Sequence, residues 1–397
     1  MKFRRKHLWQ FSSLTITINF TGGLLGSPKL LGDIMKPIGL YLHIPFCNGK
    51  CPYCDFYSIT PSGNIIDKYT DELCREIEKT DYIFDTVYFG GGTPSQLGSD
   101  NIAKIMSRIK RTAVCESTLE CNPSDTGREN SAFDFEKVAA SGINRISMGL
   151  QSANNSERAS LGRKSGCKEV EASIKRIHSA GISNISLDLM LGIPEQTAVS
   201  LDNSINFCKN SGAKHISAYM LKIEEGTPFY KKKNLLNIPD EDKTCDFYLQ
   251  TVSRLSDCGF NQYEISNFSI PGYESKHNLK YWHCEEYLGL GASAHSFVNG
   301  KRFYYERNIN DFINGILPVD DGKGGDEEEY IMLNLRLSEG LNFKKFKDRF
   351  GNSVPEKIIA KAKELEKHGL LTVDENKISL TVNGFLVSNS VIGTLLD

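Results

Sequence analysis

The sequence predicts an α/β fold, a partial (β/α)6 barrel followed by a small C-terminal α+β unit of winged-helix type. Three observations lead there. Short β-branched runs alternate with helix-period segments through the first part of the chain. Chemistry-bearing residues cluster just after those runs, where parallel barrels keep their sites. Beyond residue 270 the alternation gives way to helices and a hairpin.

Taken in order, the strand candidates are residues 38–44, 84–89, 117–121, 143–148, 182–189 and 216–221. Amphipathic stretches at 67–79, 101–111, 169–180 and 201–211 lie between them, which makes βαβ units and hence a parallel sheet. Six units are visible; a seventh and eighth are not. Residues 327–337, 342–350 and 355–368 then read as helices and 369–380 as a hairpin, with the glycine-rich stretch 320–325 as a linker. The expected divisions are an N-terminal extension (1–34), the barrel (35–270) and a C-terminal region (271–397). The hairpin carries Asp374, Glu375 and Lys377, a poor surface for phosphate backbones.

Apolar residues make up 40% of the 397 and charged ones 24%, the balance of an ordinary globular chain. The formal charge of −2 gives no basic field for nucleic acid. No run of eighteen apolar residues exists to span a membrane as a helix; peripheral attachment and a homodimer are both compatible with the sequence. Eight of the eleven cysteines are scattered singly, the pattern of reduced thiols in the cytoplasm. Residues 1–34 carry Lys2, Arg4, Arg5 and Lys6 and no acidic residue before Asp33. Either they precede a natural start at Met35, the reading adopted, or they form a transit peptide to mitochondria.

The other three cysteines form Cys47-x3-Cys51-x2-Cys54. Three thiolates on one loop suit a [4Fe–4S] cluster and leave the fourth iron open to an exchangeable ligand. A zinc knot would need a fourth Cys or His nearby, and His43, on the preceding strand, is poorly placed to close one.

This loop, with Tyr41-Leu-His-Ile-Pro-Phe46 before it, resembles the radical S-adenosylmethionine superfamily, in the branch of oxygen-independent coproporphyrinogen III oxidases and HemW-type haem chaperones. The resemblance implies S-adenosylmethionine on the open iron, and one-electron cleavage of its sulfonium to a 5′-deoxyadenosyl radical. It also implies roles for residues of the matching motifs. Gly91, Gly92 and Thr93 lie in a turn that can approach a ligand closely and has free N–H groups, and the turn resembles the segment that binds the methionine amino group of the cofactor. Glu120 would bind the ammonium or ribose, Arg163 the carboxylate and Asp188 the ribose hydroxyls, with Gln151 and Tyr41 also near the cofactor.

Two departures separate oxidase from chaperone. The oxidases carry a further cysteine two residues past the third, where this chain has Phe56, and a longer segment ahead of the first strand. Downstream, His277-Asn-Leu-Lys-Tyr281-Trp282 resembles the HemW-type signature whose histidine is implicated in haem binding. An imidazole can ligate haem iron, and Tyr281 and Trp282 offer flat apolar surface. His283, Cys284 and His295 are alternative ligands. The expectation is a haem chaperone that passes haem to an acceptor such as a respiratory haemoprotein and draws on an electron donor; the alternative is a coproporphyrinogen III oxidase of porphyrin biosynthesis.

Overall fold

The computed structural model describes residues 36–128 and 130–397, so the extension expected at 1–34 lies outside the described residues. Each expected strand forms. β1 (Ile38–Ile44), β2 (Phe84–Gly91), β3 (Arg111–Cys121), β4 (Arg145–Gln151), β5 (Asn184–Leu191) and β6 (His215–Met220) run parallel, in sequence order.

The sheet then continues at both edges. β7 (Asn261–Gln262) and β8 (Asn267–Ser269) add antiparallel beside β6. At the other edge β9 (Tyr287–Leu290) pairs parallel with β1, and β10 (His295–Val298), β11 (Lys301–Tyr304) and β12 (Val319–Lys323) follow antiparallel. The result is one twelve-stranded sheet. The linker expected at 320–325 needs correction: Val319–Lys323 is an edge strand exposed along its whole length, so its Asp-Asp-Gly composition reads as a loop.

Alternation along each strand divides the sheet into two faces. Leu40 and Leu42, Val87 and Phe89, Ile146 and Met148, Leu187 and Leu189 point outward, where each is fully buried under the helices. Each such side chain contributes about 2 kcal/mol on burial. The helix Ile65–Glu78 buries Tyr69, Leu73 and Ile77, one stripe at helical spacing. Ala198–Asn210 starts where Thr197 accepts from Ser200 N, and Glu241–Asp257 where Asp240 accepts from Lys243 N.

The opposite, inward face is polar. The register aligns Tyr41 with Tyr88, Glu120 with Ser147, and Gly149 with Asp188 and then Ser217. A parallel sheet with one polar face is the geometry of a lumen that holds a ligand.

The C-terminal unit has helices Glu327–Asn334, Phe343–Phe350 and Glu356–Glu366 capped onto a small antiparallel sheet of β13 (Leu341–Asn342), β14 (Leu371–Val373) and β15 (Lys377–Leu380). This is the winged-helix order, closed by helices Val382–Leu386 and Ser388–Leu396. It is tied to the barrel through backbone bonds Ile265 N to Arg336 O and Ser338 N to Tyr263 O, both 3.0 Å. No described helix is long and apolar enough to cross a membrane.

Candidate functional site

The three-cysteine loop leaves the C-terminal end of β1 and is clamped at its base. Cys47 N donates to Ile59 O at 3.0 Å and Ile59 N to Pro45 O at 2.8 Å, so residues 47–58 form a closed excursion over the barrel mouth. All three thiols are half-buried and none is in a disulfide. Cys47 Sγ lies 3.4 Å from Thr93 Oγ1, and Arg163 Nη1 donates to Cys51 Sγ at 3.7 Å. Burial raises the Cys54 thiol pKa. Among the described residues no three Cys, His, Asp or Glu side chains converge as ligands for one ion. A cube with a different iron for each thiolate does not ask them to.

The glycine turn after β2 is seated directly on the end of β1. Gly92 N donates to Ile44 O at 2.9 Å and Thr93 N to Phe46 O at 2.7 Å. A Cβ on Gly92 would stand 2.8 Å from Phe46 O and 2.9 Å from Ile44 O. Gly91 has φ +110°, and a Cβ there would meet the His43 ring at 2.7 Å. The expectation that these N–H groups are open to a ligand therefore needs correction for Gly92 and Thr93, whose donors hold the turn against β1. Gly91 N–H instead faces Glu120.

Inside the mouth, Tyr88 Oη donates to Glu120 Oε1 at 2.8 Å. Burial pushes the Glu120 carboxyl up to about 7, against the opposing effect of that hydrogen bond. Asp188, held by Ser147 Oγ at 3.5 Å, is likewise raised by burial. Tyr41 Oη meets His43 Nδ1 at 3.1 Å, and His43 Nε2 meets Tyr57 O at 3.1 Å. Arg163 Nη2 donates to Gly149 O at 3.0 Å.

Whether this lumen suits a cofactor can be tested on its own atoms. Gln151 Oε1 and Arg163 Nε are buried without a protein partner, and Gln151 sits at φ +69°. An orphaned acceptor and an orphaned cationic donor, both at the mouth beside three thiols, leave polar capacity for a ligand with ammonium, carboxylate and hydroxyl groups. The donor set fits a thiolate-bound cluster with S-adenosylmethionine beside it.

His277 lies elsewhere. Its helix, Lys276–Trp282, closes the opposite end of the barrel, against Thr86 and Glu116 near the starts of their inward runs. The side chain is fully buried. Nδ1 is 2.8 Å from Thr86 Oγ1 and Nε2 is 2.8 Å from Tyr281 Oη, while the backbone N–H donates to Glu116 at 3.2 Å. Burial pushes its pKa down to about 3, so the ring is neutral. Neither nitrogen faces open space in this arrangement. Of the alternatives, His283 Nδ1 lies 3.5 Å from Glu339, Cys284 is buried, and His295 is exposed at the mouth.

The structure thus brings Gly91, Gly92, Thr93, Glu120, Gln151, Arg163 and Asp188 to the cysteine end of the barrel and sets His277 at the other, with Tyr41 in the layer between, its ring stacked 6.4 Å from that of His277. Sequence reasoning missed His43, Tyr57 and Tyr88, which join the loop to the lumen, and the buried Arg145, which offsets the lumen carboxylates. The inward phase of His43 on β1, Tyr88 on β2 and Arg145 on β4 was contained in the alternation, whereas Tyr57, in the loop, carried no such signal.

Residues 41–208 match the Radical SAM superfamily and residues 327–387 the HemN C-terminal domain. Curated relatives named heme chaperone HemW include the Bacillus subtilis protein, 35% identical over 90% of this chain and 98% of that one. The Lactococcus lactis protein of the same name is 33% identical over 91% and 98%. The solved coproporphyrinogen III oxidase (HemN) of Escherichia coli superposes with TM-score 0.76 at 20% identity, covering 90% of each chain. The oxidase shares the fold over nine-tenths of each chain. The sequence shared over nine-tenths of the chain with the HemW proteins, together with the Radical SAM match, places this chain in the radical S-adenosylmethionine superfamily, in its HemW family.

Proposed function

We propose that the chain is a haem chaperone, one that binds haem, holds a [4Fe–4S] cluster with S-adenosylmethionine and transfers the haem to an acceptor protein, a respiratory haemoprotein being the expected class. The observation that carries this is identity of about one third, over nine-tenths of the chain, to several proteins bearing that name. Phe56, 68% exposed, stands where the oxidases carry their extra cysteine.

Cys47, Cys51 and Cys54 would hold the cluster. Glu120 with the Gly91–Thr93 turn would receive the methionine ammonium, Arg163 the carboxylate, and Asp188 and Gln151 the ribose side, with Tyr41 beneath. When bound, the cluster supplies one electron to the sulfonium. This chain's own residues orient that cofactor and keep water from it. A cytoplasmic setting with an electron donor completes the reading; the single buried cysteines support it.

The oxidase remains the second reading, favoured by the shared fold with HemN. Anaerobic incubation of the reconstituted protein with coproporphyrinogen III and S-adenosylmethionine, beside a titration with haem, decides between them. Haem uptake without protoporphyrinogen IX supports the chaperone. Protoporphyrinogen IX would sink it.

A further inference from the structure

A haem carrier that uses a histidine needs an imidazole nitrogen facing open space, and flat apolar surface for the porphyrin and a cation for its carboxylates complete such a site. The buried His277 does not offer the first. The rim of the barrel offers all three in one place.

The register shows where that place faces. Tyr41 is inward, and it aligns with Gly289; two residues back, Gly39 aligns with Tyr287, which aligns in turn with Phe297 on β10. His295, two residues before Phe297, therefore shares the inward face with Tyr41 and His43. Because β9 runs parallel to β1 and β10 runs back, His295 stands at the same end as the cysteine loop. Tyr304 lies directly opposite it, and Val319 opposite Tyr304.

These residues are open. The His295 side chain is exposed, and its ring makes no hydrogen bond among the described residues; it stacks on Tyr304 at 5.2 Å and 25°. Ile316 and Leu317, just ahead of β12, are 56% and 72% exposed, and Val319 is 38% exposed. Among the described residues nothing covers this apolar strip at the rim, beside an imidazole without a hydrogen bond. Arg307 follows Glu306, whose carbonyl accepts from Ser293 N at 3.1 Å, two residues before His295, so a cation stands at this rim; its charge acts on His295 and His43, and that of Asp321 on His295.

We propose that haem is carried at the barrel mouth on the inner face of β10–β12, with His295 as axial ligand, Tyr304, Val319 and Leu317 against the porphyrin, and Arg307 on a propionate. This rests on the chaperone reading and places its ligand beside the S-adenosylmethionine site.

The test uses the full chain with its cluster reconstituted anaerobically, titrated with haem and followed by Soret absorbance and ferric EPR. His295→Ala should weaken haem binding at least about ten-fold and abolish the imidazole-ligated EPR signature, with cluster absorbance and circular dichroism unchanged. Leu317→Asp should weaken binding while keeping the imidazole signature. If the unaltered protein binds haem and His295→Ala binds it with the same affinity and signature, the placement is overturned and the chaperone reading stands. If the unaltered protein takes up no haem, both fall. Loss of binding in His277→Ala alone would not identify the ligand, because that ring also holds the barrel's far end together.

Discussion

Tyr88 donates its hydroxyl to Glu120 at 2.8 Å, and its ring stacks at 5.3 Å on His277. One side chain therefore spans from the cofactor residues at the mouth to the plug at the far end. Tyr88→Phe keeps the ring and removes the donor. With the carboxylate less supported, S-adenosylmethionine should bind about ten-fold more weakly, a loss of roughly 1.4 kcal/mol. Equilibrium dialysis on the reconstituted protein measures it; unchanged affinity would detach Glu120 from the ammonium.

Glu120 should also write itself into the stability of the cofactor-free protein. Its folded pKa, about 7, is raised above the unfolded value. Its contribution is therefore full below the unfolded pKa near 4.5 and is lost as pH rises to 7. Glu120→Gln removes that dependence. The difference in unfolding free energy between variant and parent should grow in the variant's favour by on the order of 2 kcal/mol from pH 4.5 to 8. Urea titrations across that range read it, and a flat difference refutes it.

His277→Ala leaves Thr86 Oγ1 and Tyr281 Oη facing a buried void. The loss should be on the order of 3 kcal/mol of stability, visible as a lower Tm, before any haem is added. A variant as stable as its parent would mean that the plug is not held by this ring.

From outside the cysteine loop, Thr93 and Arg163 reach its sulfurs. Thr93→Val and Arg163→Lys each change a donor to a thiolate, at Cys47 and Cys51 respectively. Hydrogen bonds and positive charge near the sulfurs favour the reduced cluster. Both variants should lower its midpoint potential by tens of millivolts in an EPR-monitored titration, while Thr93→Ser should not. Potentials equal to the parent's would show that these contacts do not act on the cluster.

Gly92→Ala places a methyl against two backbone oxygens of the β1 end, neither of which can rotate away. We expect a destabilisation on the order of 3 kcal/mol and poor recovery of folded protein by circular dichroism. A well-folded Gly92→Ala would mean that the turn can lift off β1.

Much of this was legible in the chain. The six parallel strands announce themselves because each outward residue is a large apolar one, as with Leu40 and Leu42, and the cysteine spacing identifies the loop. What stayed hidden has physical reasons. β9 to β12 are four or five residues long, too short to show a period, and β9 takes its partner, β1, from the far end of the chain; β10 and β11 do carry a local signal, the Asn299-Gly300 hairpin turn between them, which the strand pattern alone passes over. The bond between His43 Nε2 and Tyr57 O is a product of loop closure, and the sealing of His277 is a product of where its helix docks. Motif matching named His277 as a ligand from its neighbours in sequence, whereas accessibility depends on Thr86, 191 residues away.

The parallel pairing of β9 with β1 has a consequence for synthesis. β1 is made early, and β2 gives it one neighbour soon afterwards. Its other edge stays bare until Tyr287–Leu290 has been translated. A nascent chain holding six finished strands still shows an open, apolar-backed edge at its beginning, which invites pairing with a second nascent chain. The barrel is therefore not a module that folds and then acquires a C-terminal region; its first strand is completed by its last third, and a fragment cut after β6 should aggregate on the ribosome's timescale.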